Sequence, residues 1–114
     1  MRRPSISKEL RKGSADLLIL SLIEERPRHG YEIGKLIEAR SGGRLTFALP
    51  TLYPTLLRME TRGLIKGRWI EKAGERDRCF YRLTAKGRRV LAERRATWKN
   101  YVDAVNAVTE SGDA

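Results

Sequence analysis

The reading of GLIKGRWIEKAGERDRCFYRLT, residues 63–84, decides the fold. The run from Ile65 to Glu71 carries Ile65, Trp69 and Ile70, and the run from Cys79 to Leu83 reads Cys-Phe-Tyr-Arg-Leu. Both are rich in β-branched or aromatic residues. The connection Lys72-Ala73-Gly74-Glu75-Arg76-Asp77 is polar and turn-prone. Two short strand-like runs around such a link predict a β-hairpin with a charged tip. Trp69 is expected in the core, and Cys79 as a packed thiol.

On the N-terminal side the period changes from two to helical. Leu52, Leu56 and Met59 fall at i, i+4 and i+7, which predicts one buried stripe on a helix that Pro50 opens and Gly63 closes. His29 to Arg40 reads as a second helix, with Tyr31, Ile33, Leu36 and Ile37 on its apolar side and Ser41-Gly42-Gly43 as its stop. Ser7 to Glu25 reads as a first helix, marked by Leu10, Leu17, Leu20 and Ile23 and ended by Pro27. On the C-terminal side Thr84 caps a last helix running from Ala85 to about Thr109. The order is helix, helix, helix, hairpin, long helix. The expected fold is therefore mostly α with a small β-hairpin: a winged helix-turn-helix over residues 1–84, followed by a C-terminal dimerisation helix and short tail over residues 85–114.

The last helix carries Leu91, Trp98, Tyr101, Val102, Val105 and Val108 at helical spacing. A compact winged unit leaves that stripe nothing to pack on, and a second copy would bury it by two-fold symmetry. The expectation is a homodimer.

Composition narrows the function. The 114 residues carry 24 Lys+Arg against 14 Asp+Glu, a net charge of +10. Apolar residues make up 40% of the chain, too many for a disordered polyelectrolyte. One cysteine excludes a disulfide scaffold, and Cys79 with the single His29 is too little for a zinc site. No cofactor is expected. No apolar run reaches the length of a membrane span, and the lone thiol suits a reducing cytosol. The positive charge sits in two blocks. Arg2, Arg3, Lys8, Arg11 and Lys12 lie near the start, and residues 58–89 hold eleven cations against Glu60, Glu71, Glu75 and Asp77. Such arrays bind polyanions by counterion release.

In a winged helix-turn-helix the third helix enters the major groove of double-stranded DNA. The residues off the Leu52/Leu56/Met59 stripe, namely Thr51, Tyr53, Thr55 and Arg58, are the candidates to face it. Arg58 can fork onto guanine or phosphate, or sit in a surface ion pair. Tyr53 either meets DNA or packs beneath the wing. Arg76 and Arg78 at the wing can follow the minor groove or the phosphates, or form a solvated turn. Lys8, Arg11 and Lys12 can neutralise phosphate. His29, opening the second helix beside Tyr31, either touches the backbone or caps the helix.

With those residues in view, the chain resembles the PadR family of bacterial transcription factors. The matching residues are His29-Gly30-Tyr31-Glu32-Ile33, then Leu52-Tyr53-Pro54 with Leu57, Met59 and Glu60, then Gly63-Leu64-Ile65, Trp69, and Tyr81-Arg82-Leu83-Thr84 with Gly87. The resemblance runs from about Leu10 to Trp98. It implies a homodimeric winged-helix repressor, dimerised through the last and first helices, with Leu10 and Leu17 among the interface residues. It implies DNA contacts from the helix bearing Tyr53, from the start of the second helix and from the wing. In some relatives a flat aromatic ligand enters between paired tryptophans at the dimer interface. Trp98 occupies a comparable place, with Tyr101 beside it, as either an effector pocket or plain interface. Two departures stand out: Pro50-Thr51 ahead of Leu-Tyr-Pro where relatives often have glycine, and Cys79-Phe80 in place of a more basic and aromatic pair.

The competing class is a basic RNA-binding or ribosome-associated protein, whose mark would be paired exposed aromatics on a sheet. An enzyme is not expected. A nuclease needs clustered carboxylates, and Glu71, Glu75 and Asp77 lie among cations near a turn. An interaction module without nucleic acid would show no salt-dependent binding to DNA.

Overall fold

The computed structural model describes residues 8–110, with side chains from Ser14 onward. Helix α1 spans Lys8–Glu25, strand β1 Arg28–His29, helix α2 Gly30–Arg40 and helix α3 Leu49–Thr61. Strands β2 (Ile65–Ile70) and β3 (Arg78–Leu83) form the wing, and helix α4 spans Ala85–Glu110. Among the described residues, no helix is long and apolar enough to cross a membrane.

Each boundary has a local cause. Helix α2 opens on His29, whose Nδ1 accepts the Glu32 N–H at 3.2 Å, an imidazole in the place usually taken by a hydroxyl or carboxylate. Helix α3 opens with Pro50 in its first turn, where no donor is lost. It ends at Gly63 (φ +78°), whose N–H reaches Glu60 O while the Leu64 N–H reaches Met59 O at 3.0 Å. Thr84 then locks the next corner. Its hydroxyl donates to Gly63 O at 2.6 Å and accepts the Gly87 N–H at 3.0 Å, which caps α4.

The wing is a β-hairpin in the register Ile65↔Leu83 through Ile70↔Arg78. A third strand, absent from the sequence reading, joins it: β1 pairs antiparallel with β3 through Arg28↔Tyr81 and His29↔Phe80, giving the order β1-β3-β2. Two residues are too short to show a period.

The core is one cluster in which Ile19, Leu20, Ile33, Leu52, Leu56, Met59, Ile65 and Leu91 are all nearly sealed from solvent. All three residues of the predicted α3 stripe are buried. Other expectations fail. Trp69 is 70% exposed, because burial along the hairpin is greatest at Ile65 and Leu83 and falls off toward the wing tip. Tyr31 is exposed rather than on the buried side of α2, where Gly30, Ile33 and Ile37 lie. Leu91, expected at a dimer interface, lies fully buried in the core of its own protomer. The reason is that α4 folds back along α1 over its first half, with Arg94 bonded to Asp16 at 3.6 Å and Arg95 to Glu24 at 2.9 Å. Leu17 is half-buried against the same core. The side chain of Leu10 lies outside the described residues.

One charged cluster joins α1, β1 and α2. Arg28 is 5% exposed, and its Nε donates to Leu22 O at 2.8 Å. Its two terminal nitrogens donate to Glu32 Oε2 at 2.9 Å and Glu25 Oε1 at 2.6 Å. Arg40 closes on both oxygens of Glu25 at 2.7 and 2.8 Å. A buried guanidinium is tolerated only when its donors are met in this way. The hydrogen bonds from Arg40 and then Arg28 pull the Glu25 carboxyl down from 4.5 to about 2. The folded chain therefore keeps Glu25 ionised where the unfolded chain would be protonated. The stabilisation is complete above about pH 4.5 and is lost as the pH falls toward 2. Glu25→Gln is expected to flatten the acid limb of the stability curve between those values. An unchanged limb in acid-titrated thermal melts would refute the assignment.

Candidate nucleic-acid interface

The α3 residues divide cleanly. Thr51, Tyr53 and Arg58 are exposed, as is Leu57. Thr55 is not. It lies three residues after Leu52 and four before Met59, so a 3.6-residue helix places it on the buried stripe. Its hydroxyl donates to Thr51 O at 3.1 Å. The expectation that Thr55 faces outward is corrected on that ground. Thr55→Val is expected to lower stability by about 1 kcal/mol, the net worth of one hydrogen bond, and to leave DNA affinity unchanged. A large affinity loss without destabilisation would contradict the burial.

Tyr53 is held in place by Gly30. A Cβ at position 30 would lie 2.6 Å from the Tyr53 ring, so glycine lets the ring pack this close to the start of α2. Tyr53 remains 48% exposed. The ring thus packs against the start of α2 while much of it stays exposed. A second ring is seated in the same way. A Cβ at Gly67 would meet Cys79 Sγ at 2.6 Å and the Tyr81 ring at 3.1 Å. Glu60 accepts the Gly67 N–H at 2.8 Å, tying α3 to the wing.

These packed rings form the floor of an open groove of about 420 Å³ between α2, α3 and the wing. Tyr31, Tyr53, Trp69 and Tyr81 supply its aromatic lining, and Arg76 and Arg78 its cations. Tyr31 lies under two positive charges, with Lys35 Nζ at 5.5 Å from its ring centre and Arg78 Cζ at 6.0 Å. His29 also lines the groove, in edge contact with Phe80 at 5.1 Å. Burial, and then the charge of Arg78, lowers the imidazole pKa, which keeps Nδ1 free to accept the Glu32 N–H. Burial raises the pKa of the half-buried Cys79, consistent with a packed thiol and not a reactive thiolate.

Of the sequence-derived candidates, the structure brings His29, Tyr31, Tyr53, Arg76 and Arg78 to one surface. Arg58 lies in the last turn of α3 and lines no part of the groove. Thr51 is exposed in the first turn. The side chains of Lys8, Arg11 and Lys12 lie outside the described residues. Trp69 and Tyr81 are the aromatic groove residues that sequence reasoning missed. The only signal was register, since both alternate with Ile65 and Leu83 on the helix-facing side of the sheet.

A separate surface lies on the second half of α4. Trp98 and Tyr101 are exposed, with ring centres 6.0 Å apart. Val102 is half-buried, Val105 is 38% exposed and Val108 is 81% exposed. This is an apolar stripe at helical spacing that the described residues of its own protomer leave largely exposed.

Comparison with known proteins places this geometry. The model of the transcriptional regulator PadR-like family matches residues 19–93, from the middle of α1 into α4. A transcriptional regulator from Clostridium thermocellum superposes with a TM-score of 0.82 at 30% identity, covering 91% of this chain and 98% of that one. A PadR family transcriptional regulator from Eggerthella lenta has a TM-score of 0.77 at 36% identity, with 91% of this chain and 88% of that chain covered. A protein of Lysinibacillus sphaericus is 28% identical over 105 residues, which is 92% of this chain and 96% of that protein. The four helices and small antiparallel sheet are the winged-helix fold of that group. The chain belongs to the PadR-like family of transcriptional regulators, which are DNA-binding transcription factors and not enzymes.

Proposed function

We propose that two copies of the chain form a homodimer that binds a palindromic operator in double-stranded DNA and represses transcription in the bacterial cytoplasm. The observation that carries this reading is the groove that gathers Tyr53 of α3, His29 and Tyr31 of α2, and Arg76 and Arg78 of the wing onto one surface. Thr51, Tyr53 and Arg58 meet the major groove, while Arg76 and Arg78 follow phosphates or the minor groove. Lys8, Arg11 and Lys12 add phosphate contacts. Residues 1–84 are the DNA-binding unit, and residues 85–114 join the copies through Trp98, Val102 and Val105. Two-fold symmetry sets the recognition helices about 34 Å apart, one turn of DNA.

The exposed, neighbouring rings of Trp98 and Tyr101 favour a flat aromatic compound as the effector that releases DNA. Binding of such a compound would change Trp98 emission and would be lost in Trp98→Ala.

The deciding experiment exposes the protein to fragmented duplex DNA from its own genome across a salt series and sequences what is retained. Recovery of one short palindrome at high salt is the expected result. If every fragment washes off together as salt rises, the charge reports only general polyanion affinity. The RNA-binding reading then takes precedence.

A further inference from the structure

Trp69 is the largest exposed apolar side chain of the wing, at 70% exposure, and neither the core nor the second half of α4 accounts for it. It lines the groove between α3 and the wing together with Tyr53, Tyr81, Arg76 and Arg78. We infer that this groove receives one sugar–phosphate strand of the operator, with the Trp69 indole packing on a deoxyribose and the two guanidinium groups holding the adjacent phosphates. The inference rests on the DNA-binding reading and assigns a contact to Trp69 that its place in the motif does not.

Three features support a strand as the occupant. The chemistry is matched, since a nucleotide unit alternates an apolar sugar with an anionic phosphate, and the groove sets aromatic faces beside arginines. The groove is built in advance: Gly30 and Gly67 let Tyr53 and Tyr81 pack close against the backbone, so this part of the lining does not have to form on binding. It is also continuous with the recognition helix, because Tyr53 is both part of α3 and part of the lining. One carboxylate, Asp77, stands in the lining against this charge pattern. It lies between Arg76 and Arg78 in the chain, so cations still outnumber it at the wing. Burying an indole supplies a large apolar contact with little loss of side-chain freedom.

The test uses the whole 114-residue chain and subtracts the emission of its Trp69→Phe variant, in which Trp98 is the only tryptophan, so that the difference reports Trp69. The probe is the duplex retained in the genomic selection. On binding, Trp69 emission is expected to change and to become shielded from iodide. Trp69→Ala is expected to weaken binding about tenfold, within the range seen when aromatic platforms are truncated, while Trp69→Phe keeps most of the affinity. Thermal melts serve as the control, and an exposed side chain predicts little change in them. A duplex that binds while Trp69 stays unquenched and open to iodide overturns the inference alone, as does a Trp69→Ala variant of unchanged affinity. A wild-type chain that retains no duplex overturns both this inference and the DNA-binding reading.

Discussion

Replacing Val105 with aspartate is expected to separate the dimer while leaving each protomer folded. Val105 lies on the stripe of Trp98, Tyr101, Val102 and Val108 and is 38% exposed in the protomer, so the substitution opens no cavity there. In the proposed dimer it buries a carboxylate in the apolar seam between the two copies. An unpaired charge in an apolar seam is strongly unfavourable, and two-fold symmetry introduces it twice. The consequence for DNA is larger than the interface cost alone. Joined protomers bind the second half-site as an intramolecular event, and losing that linkage removes about a hundredfold or more in affinity. Light scattering should report the protomer mass of 13.0 kDa, and circular dichroism should show the wild-type helix content. A variant that remains dimeric would place the interface elsewhere.

Gly87→Ala is expected to destabilise the fold by about 3 kcal/mol, which lowers the melting temperature by roughly 10–20 °C. Helix propensity alone predicts the opposite sign, since alanine in a helix interior is favoured over glycine by about 1 kcal/mol. The difference is tertiary. A Cβ at position 87 would drive into the carbonyl oxygen of Leu64 and lie 3.0 Å from its carbonyl carbon, with Leu83 Cδ2 at 3.2 Å. Backbone cannot swing aside as a flexible side chain can. Helix α4 would have to lift from the corner where Thr84 bonds to Gly63 O, pulling Leu91 from the core. A thermal melt decides the question. A variant as stable as the wild type would mean that α4 can shift without losing its packing.

Both effects arise where α4 changes role along its length, a division that sequence reading only half anticipated. Leu91 and Val105 look alike as members of one apolar series. The first is sealed inside its own protomer and the second is open, since the described side chains of α1 pair with the first half of α4. Thr55 shows the converse. Its burial was legible from spacing alone, three residues from Leu52 and four from Met59, yet a polar side chain invites an outward reading. Arg28 was beyond sequence reasoning. Nothing in its neighbourhood announces that Leu22, Glu25 and Glu32 converge on one guanidinium.

The sequence by itself determined the order of the four helices and the hairpin, the helix stops at Pro27, Gly42-Gly43 and Gly63, and the Leu52/Leu56/Met59 stripe. These depend on interactions within a few residues: backbone dihedral limits, caps and the periods of helix and strand. Only the tertiary structure decided that β1 joins the sheet, that Trp69 stands exposed, and that Tyr53 lies against Gly30 to form a groove with the wing. It also decided that Leu91 belongs to the protomer. Each of these outcomes turns on which distant surface happens to lie opposite a side chain. Residue spacing along one chain carries the direction in which a side chain points, but not what it meets there.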